Sequence, residues 1–147
     1  MPNPSLTSHQ KATYSVELSI ITPVYNSEES IPYLLRELVS VCDSTGKIYE
    51  LVLVNDGSTD RSAELLAAAS EINHNLKIIT LSRNFGYQSA VSAGLDFAQG
   101  GMIVIMDDDL QYPASMIPVF IEYAEKGYDL VLGERLANKQ NSWLREF

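Results

Sequence analysis

Met102-Ile103-Val104-Ile105-Met106-Asp107-Asp108-Asp109-Leu110-Gln111-Tyr112-Pro113 sets a short apolar run directly against three successive carboxylates. A run of this length reads as a buried strand, Met102–Asp107, with acids emerging at its C-terminal end. In an open α/β sheet that end is where ligands sit. Side chains alternate along an extended chain, so Asp107 and Asp109 can face one site while Asp108 points away. Two carboxylates held together repel unless a cation lies between them. Hard oxygen donors suit Mg²⁺ or Mn²⁺, which reach proteins through one or two carboxylates plus substrate phosphates. The stretch therefore points to a metal–diphosphate site. For an isolated Asp pair, capping a helix or a turn is the commoner role, so the rest of the chain decides.

Outward from that run, short apolar stretches alternate with amphipathic ones. The strand candidates are Leu18–Thr22, Tyr49–Asn55, Leu76–Leu81, Met102–Asp107 and Tyr128–Leu132. Helical stripes fall on Ile31, Leu34, Leu35, Leu38 and Val41, then on Leu65, Leu66, Ala69 and Ile72. Two more are Val91, Gly94, Leu95 and Ala98, and Met116, Ile117, Phe120 and Ala124. Pro118 fits the last helix only in its first turn. Strands alternating with helices imply right-handed crossovers and a mainly parallel α/β sheet. With 147 residues and 46% hydrophobic content, one domain with a proper core is expected.

Parallel strands bring the loops at their C-terminal ends to one edge. In Thr22-Pro23-Val24-Tyr25-Asn26-Ser27-Glu28-Glu29, Ser27 is a candidate N-cap, with Glu28 and Glu29 suited to the first turn. Tyr25 is then free either to stack on a planar base or to anchor a turn. In Val54-Asn55-Asp56-Gly57-Ser58-Thr59-Asp60, Gly57 permits a tight turn, and Ser58, Thr59 or Asp60 can cap the next helix. Asp56 is left without a structural task and suits the N–H donors of a nucleobase. In Leu81-Ser82-Arg83-Asn84-Phe85-Gly86-Tyr87-Gln88, Arg83 is either a phosphate-facing guanidinium or a surface ion pair. Gly86 opens a helix whose N-terminus favours anions.

Composition removes several functions. Lys+Arg number 10 against 19 Asp+Glu, a net charge of −9 that repels phosphate backbones, so nucleic acid is not an expected partner. No apolar run approaches the ~18–20 residues of a membrane span, and no signal-peptide pattern opens the chain. Cys42 is the only cysteine, which rules out an internal disulfide or thiolate cage and suits a small core residue. His9 and His74 lack partners at ligand spacing. No G-x-G-x-x-G, P-loop or G-x-S-x-G elbow is present.

Together, Ile21-Thr22-Pro23-Val24-Tyr25-Asn26, Val54-Asn55-Asp56-Gly57-Ser58-Thr59-Asp60, Leu81-Ser82-Arg83-Asn84-Phe85-Gly86 and Asp107-Asp108-Asp109-Leu110-Gln111-Tyr112-Pro113 resemble the family-two inverting glycosyltransferases. The order and spacing of the four motifs carry that resemblance, from about Glu17 to Arg135. Ser-Arg-Asn-Phe-Gly and Asp-Leu-Gln-x-Pro look most like the polyprenyl-phosphate sugar transferases. The resemblance implies a Rossmann-like GT-A fold that binds a nucleotide-sugar and Mg²⁺ or Mn²⁺. It would place Pro23, Tyr25, Asp56 and Arg83, with Asp107 and Asp108, at the nucleotide, and Asp107, Asp109 and Gln111 on the metal. Asp109 and Arg135 would be the catalytic positions, the latter facing phosphate. Two positions depart from the family pattern. Ser27 stands where Glu is common, although Glu28 could serve, and Asp108 replaces a small middle residue.

What the resemblance implies for function is inverting transfer from a UDP-linked rather than GDP-linked donor to a polyprenyl phosphate. A saccharide hydroxyl acceptor and a non-catalytic nucleotide-binding module are the competing readings. Residues 1–15 read as a flexible arm, 16–135 as the nucleotide-sugar domain and 136–147 as the opening of an acceptor-side region. On this reading the chain is the donor-binding half, slow or inactive in transfer by itself. It would work in the cytoplasm or at the cytoplasmic face of a membrane reached through a further C-terminal region. An uncovered sheet edge would allow homo-oligomers.

Overall fold

The computed structural model describes residues 15–133. Four strands, β1 (Leu18–Val24), β2 (Tyr49–Asn55), β3 (Leu76–Thr80) and β4 (Met102–Ile105), alternate with helices α1 (Ile31–Ser44), α2 (Ser62–Ile72), α3 (Tyr87–Phe97) and α4 (Ile117–Glu125). A short 3₁₀ turn, Ala114–Met116, leads into α4. The sheet is wholly parallel in the order β3-β2-β1-β4. After β3 the chain therefore crosses back over β1 to add β4 on its other side. The crevice between the ends of β1 and β4 is the topological switch point of the sheet.

Every residue of β1 and β2 is buried, as expected for central parallel strands covered on both faces. One face carries the larger core, where Leu18, Ile20, Leu51, Leu53 and Val104 meet Ile31, Leu34, Leu38, Leu66 and Ile117. On the other face Ile21, Val52 and Val54 meet Ala90 of α3. Cys42 is fully buried, and burial, helped by the Asp43 charge, pushes its thiol up to about 12. That makes it an inert core residue.

Pro23 sits inside a central strand, and the ladder explains why this is tolerated. The Ile21 carbonyl accepts the Met106 N–H on the β4 side, whereas the Val24 carbonyl accepts the Asp56 N–H on the β2 side. By alternation, the N–H that Pro23 lacks would point past the end of β4 and cost no ladder bond.

Several local expectations are corrected. Tyr128–Leu132 is not a strand. Tyr128, Leu130 and Leu132 are 59%, 74% and 80% exposed, and no neighbouring strand among the described residues covers them. β4 ends at Ile105, so the aspartates lie in the turn after it. The cap of helix α1 lies three residues beyond the expected one. The Ser27 carbonyl accepts the N–H groups of Ser30 and Ile31, and Ser30 takes the cap position. Ile72 and Leu95, expected in core stripes, are exposed, while Ala90 and Gly94 form the buried face of α3. Pro118 does fall in the first turn of α4. Among the described residues no helix is long and apolar enough to cross a membrane.

Candidate active site

A cleft of about 630 Å³ opens at the switch point. Pro23, Val24 and Tyr25 enter it from the end of β1, Asp56 from β2, Asn84, Gly86 and Tyr87 from the β3–α3 loop, and Asp107, Asp108 and Asp109 from beyond β4. Of the expected site residues, the fold thus brings together Pro23, Tyr25, Asp56 and the three aspartates, drawn from three strand ends.

The loop after β1 is pinned by side-chain bonds from its neighbour. Asn26 (φ 51°) accepts the Thr59 N–H at 2.8 Å, and its own N–H donates to Ser58 Oγ at 3.0 Å. Ser62 Oγ accepts the Ser27 N–H at 2.9 Å, Asp60 accepts the Glu28 N–H at 3.0 Å, and Glu28 accepts the Arg61 N–H at 2.8 Å. Glu28 is therefore used in tying two loops together. Tyr25 is left 45% exposed over the cleft, with ring surface free for a planar ligand.

Asp56 has the structural task that its sequence context did not reveal. One carboxylate oxygen accepts the Phe85 N–H and the other the Gly86 N–H, both at 2.8 Å. An acid just ahead of α3 also opposes that helix's positive end, so the anion site expected at Gly86 is served by the protein's own carboxylate. Each oxygen keeps a further lone pair. Gly57 makes the arrangement possible. Its φ is +66°, and a Cβ there would lie 2.3 Å from the Arg83 carbonyl carbon.

Arg83 makes no ion pair among the described residues. It is exposed and stacks its guanidinium on Phe85, 4.7 Å from the ring centroid, at the rim rather than in the cleft lining. Asp107 and Asp109 are exposed. Asp109 accepts the Gln111 N–H at 3.0 Å in a local turn, and Gln111 itself lies outside the cleft lining. Asp108 does not simply point away. It accepts the Ser27 hydroxyl, so the two positions that depart from the family pattern touch. Burial raises its pKa above the ordinary carboxylate value, the Asp109 charge adds to this, and hydrogen bonds from Ser27 and the Tyr25 backbone oppose it. Arg135 lies outside the described residues.

Three cleft residues, Val24, Asn84 and Tyr87, escaped the sequence reading. Partial burial and a hydrogen bond to Asp107 push the Tyr87 hydroxyl up to about 12, so it stays a proton donor to that carboxylate. The available signal was its place straight after Gly86, the first residue of a helix that opens at the ligand edge.

Asp56, Asp107, Asp108 and Asp109 line the cleft, and no Lys or Arg among the described residues joins them. The donors are hard oxygens and fit Mg²⁺ or Mn²⁺. No group of three or more His, Cys, Asp or Glu among the described residues forms a complete ion site. The arrangement suits an ion that shares its coordination with a phosphate ligand.

The sequence pattern of glycosyl transferase family 2 matches residues 19–147. The chain belongs to that family. It is 46% identical over 132 residues to an undecaprenyl-phosphate 4-deoxy-4-formamido-L-arabinose transferase of Proteus mirabilis, covering 88% of this chain and 40% of that relative. The chain thus spans well under half of the relative's length. Among solved structures, S. aureus TarS 1–349 in complex with UDP-GlcNAc superimposes with a TM-score of 0.61 at 25% identity, covering 75% of this chain and 31% of the TarS 1–349 chain. The mannosyltransferase PcManGT of Pyrobaculum calidifontis, in complex with GDP-Man and Mn²⁺, shares the fold, with a TM-score of 0.58 at 23% identity. It covers 72% of this chain and 33% of that one. The α/β architecture is that of the GT-A glycosyltransferases.

Proposed function

We propose that the chain is the nucleotide-sugar-binding part of a glycosyltransferase that moves a sugar, with inversion, from a UDP-linked donor to a polyprenyl phosphate. The observation that carries this reading is the composition of the cleft. Among the described residues four acids and no base line it, beside an exposed tyrosine ring at the switch point of a parallel sheet. A bare diphosphate would be repelled from such a site, whereas a diphosphate entering with a divalent cation would be attracted. Asp107 and Asp109 are the residues that would hold the cation, with Gln111 next to them. Once bound, the ion would neutralise charge on the departing diphosphate.

The chain's own groups account for the rest. Tyr25 offers its face to the base, and the spare lone pairs of Asp56 accept a base N–H. The Tyr87 hydroxyl, kept protonated by partial burial and the neighbouring Asp107 carboxylate, is a proton donor beside that acid. Arg83, at the rim, suits the ribose–phosphate edge. An anionic phosphate acceptor needs no strong general base to become nucleophilic, and among the described residues no histidine lines the cleft. The lipid-phosphate acceptor draws support from the P. mirabilis relative, and the UDP preference from TarS.

Calorimetric titration of the chain with UDP and GDP, each with and without Mn²⁺, tests the donor side. UDP is expected to bind at least tenfold more tightly with Mn²⁺ and more tightly than GDP. Tighter GDP binding would reassign the base, and Mn²⁺-independent binding would remove the metal. Incubation with UDP-sugars and either undecaprenyl phosphate or an oligosaccharide tests the acceptor. Product on the oligosaccharide alone would refute the lipid-phosphate reading.

A further inference from the structure

The ladder between β1 and β4 reaches its last backbone bond at Met106, whose N–H donates to the Ile21 carbonyl. Beyond it, the loop carrying Tyr25 and the turn carrying Asp107 and Asp109 diverge, and side chains must keep them aligned. Asp108 spans this gap. Its Oδ2 accepts the Ser27 hydroxyl, and the Tyr25 backbone favours the charged form of the same carboxylate. Ser27 Oγ also lies 3.1 Å from the Tyr25 carbonyl oxygen, but its single proton goes to the charged acceptor, which is the stronger one. Ser27 is itself fixed, because its N–H donates to the hydroxyl of the fully buried Ser62 at 2.9 Å.

We propose that Asp108 is a positioning residue that locks the Tyr25 loop to the Asp107–Asp109 turn, so that one nucleotide meets the base platform and the acidic pair at the same time. The proposal rests on the donor-site reading above and deepens it. Asp108 is neither a ligand of the ion nor a contact of the base. Its carboxylate is spent on the loop, while its two neighbours remain exposed to the cleft. Its removal should cost most for a ligand that spans both halves of the site and least for one that touches a single half.

The test uses the 147-residue chain. Binding of UDP with Mn²⁺, of uridine alone and of Mn²⁺ alone is measured for the wild type, Asp108→Ala and Asp108→Asn. Asp108→Ala is expected to weaken UDP–Mn²⁺ about tenfold, the scale of one lost charge-assisted bond, and to change uridine and Mn²⁺ less than threefold. Asp108→Asn, which still accepts the Ser27 hydroxyl, should recover most of the UDP–Mn²⁺ affinity. An equal loss for all three ligands, a loss confined to Mn²⁺, or no loss would overturn the proposal. Amide exchange at Tyr25 supplies a readout that needs no ligand. It should quicken in Asp108→Ala while the Leu53 amide is unchanged, and unchanged exchange at Tyr25 would also overturn the clamp. If the wild-type chain binds no UDP at all, the donor reading fails, and the exchange result still decides whether the loop and turn are locked.

Discussion

Asp56 is 3% exposed, and each of its oxygens is held by a backbone N–H. Replacing it with Asn would turn an acceptor toward one of those N–H groups into a donor. Asp56→Asn should cost about 1–3 kcal/mol, read as a lowered urea midpoint, and loosen the Phe85–Gly86 segment. Gly57→Ala joins a positive φ to a backbone clash with Arg83, so it should destabilise by about 2–3 kcal/mol in the same measurement. At this scale the sequence disclosed the acids and not their partners. Asp56 looked idle because the groups it binds lie 29 and 30 residues away, and no local spacing announces such a bond. Asp108 was read from strand alternation, but β4 ends at Ile105, so alternation no longer governs it.

Helices and strands differ in how openly they declare themselves. β1 and β2 read as continuous apolar runs because both their faces are buried. Helix α3 was misjudged because its buried face is made of small residues. A Cβ on Gly94 would lie 2.4 Å from Ile21 Cγ2, so the helix rests almost directly on the sheet; Gly94 was expected in the core stripe, but Leu95, expected beside it, is exposed. Gly94→Ala should lift α3, cost about 1–3 kcal/mol by overpacking and displace Tyr87 at the helix start.

At the opposite end of the sheet, β2 carries Glu50, 3% exposed, which accepts the Ser19 hydroxyl and the Gln99 N–H at 2.6 Å and pairs with Lys77 at 2.5 Å. Burial alone would raise its carboxyl. The bonds from Lys77, Ser19 and Gln99 outweigh burial and hold it below its ordinary value of 4.5. A depressed folded value means that this stabilisation is complete above about 4.5 and is lost as pH falls through the lower folded value. Glu50→Gln should therefore lower stability at neutral pH and flatten its acid-side decline, as followed by urea midpoints across pH.

For the molecule as a whole, the α/β class and the parallel sheet followed from the alternation of patterns, and the strand order did not. Nothing local records that β4 crosses back beside β1. That crossing creates the switch point and collects acids from two strand ends around one cleft. Among the described residues the same placement leaves β4 at an edge, with Ile103 and Ile105 44% and 43% exposed. The apolar segment Tyr128–Leu132 does not pair with that edge, and Tyr128, Leu130 and Leu132 stay exposed. The account's central claim is that the acidic cleft receives a diphosphate together with its cation. Crystals grown with UDP and Mn²⁺ test it most directly through the anomalous signal of manganese. The account predicts a peak between the carboxylates of Asp107 and Asp109, with the uracil against Tyr25. Well-ordered UDP with no manganese at those carboxylates, or bound away from the β1–β4 crevice, would contradict it.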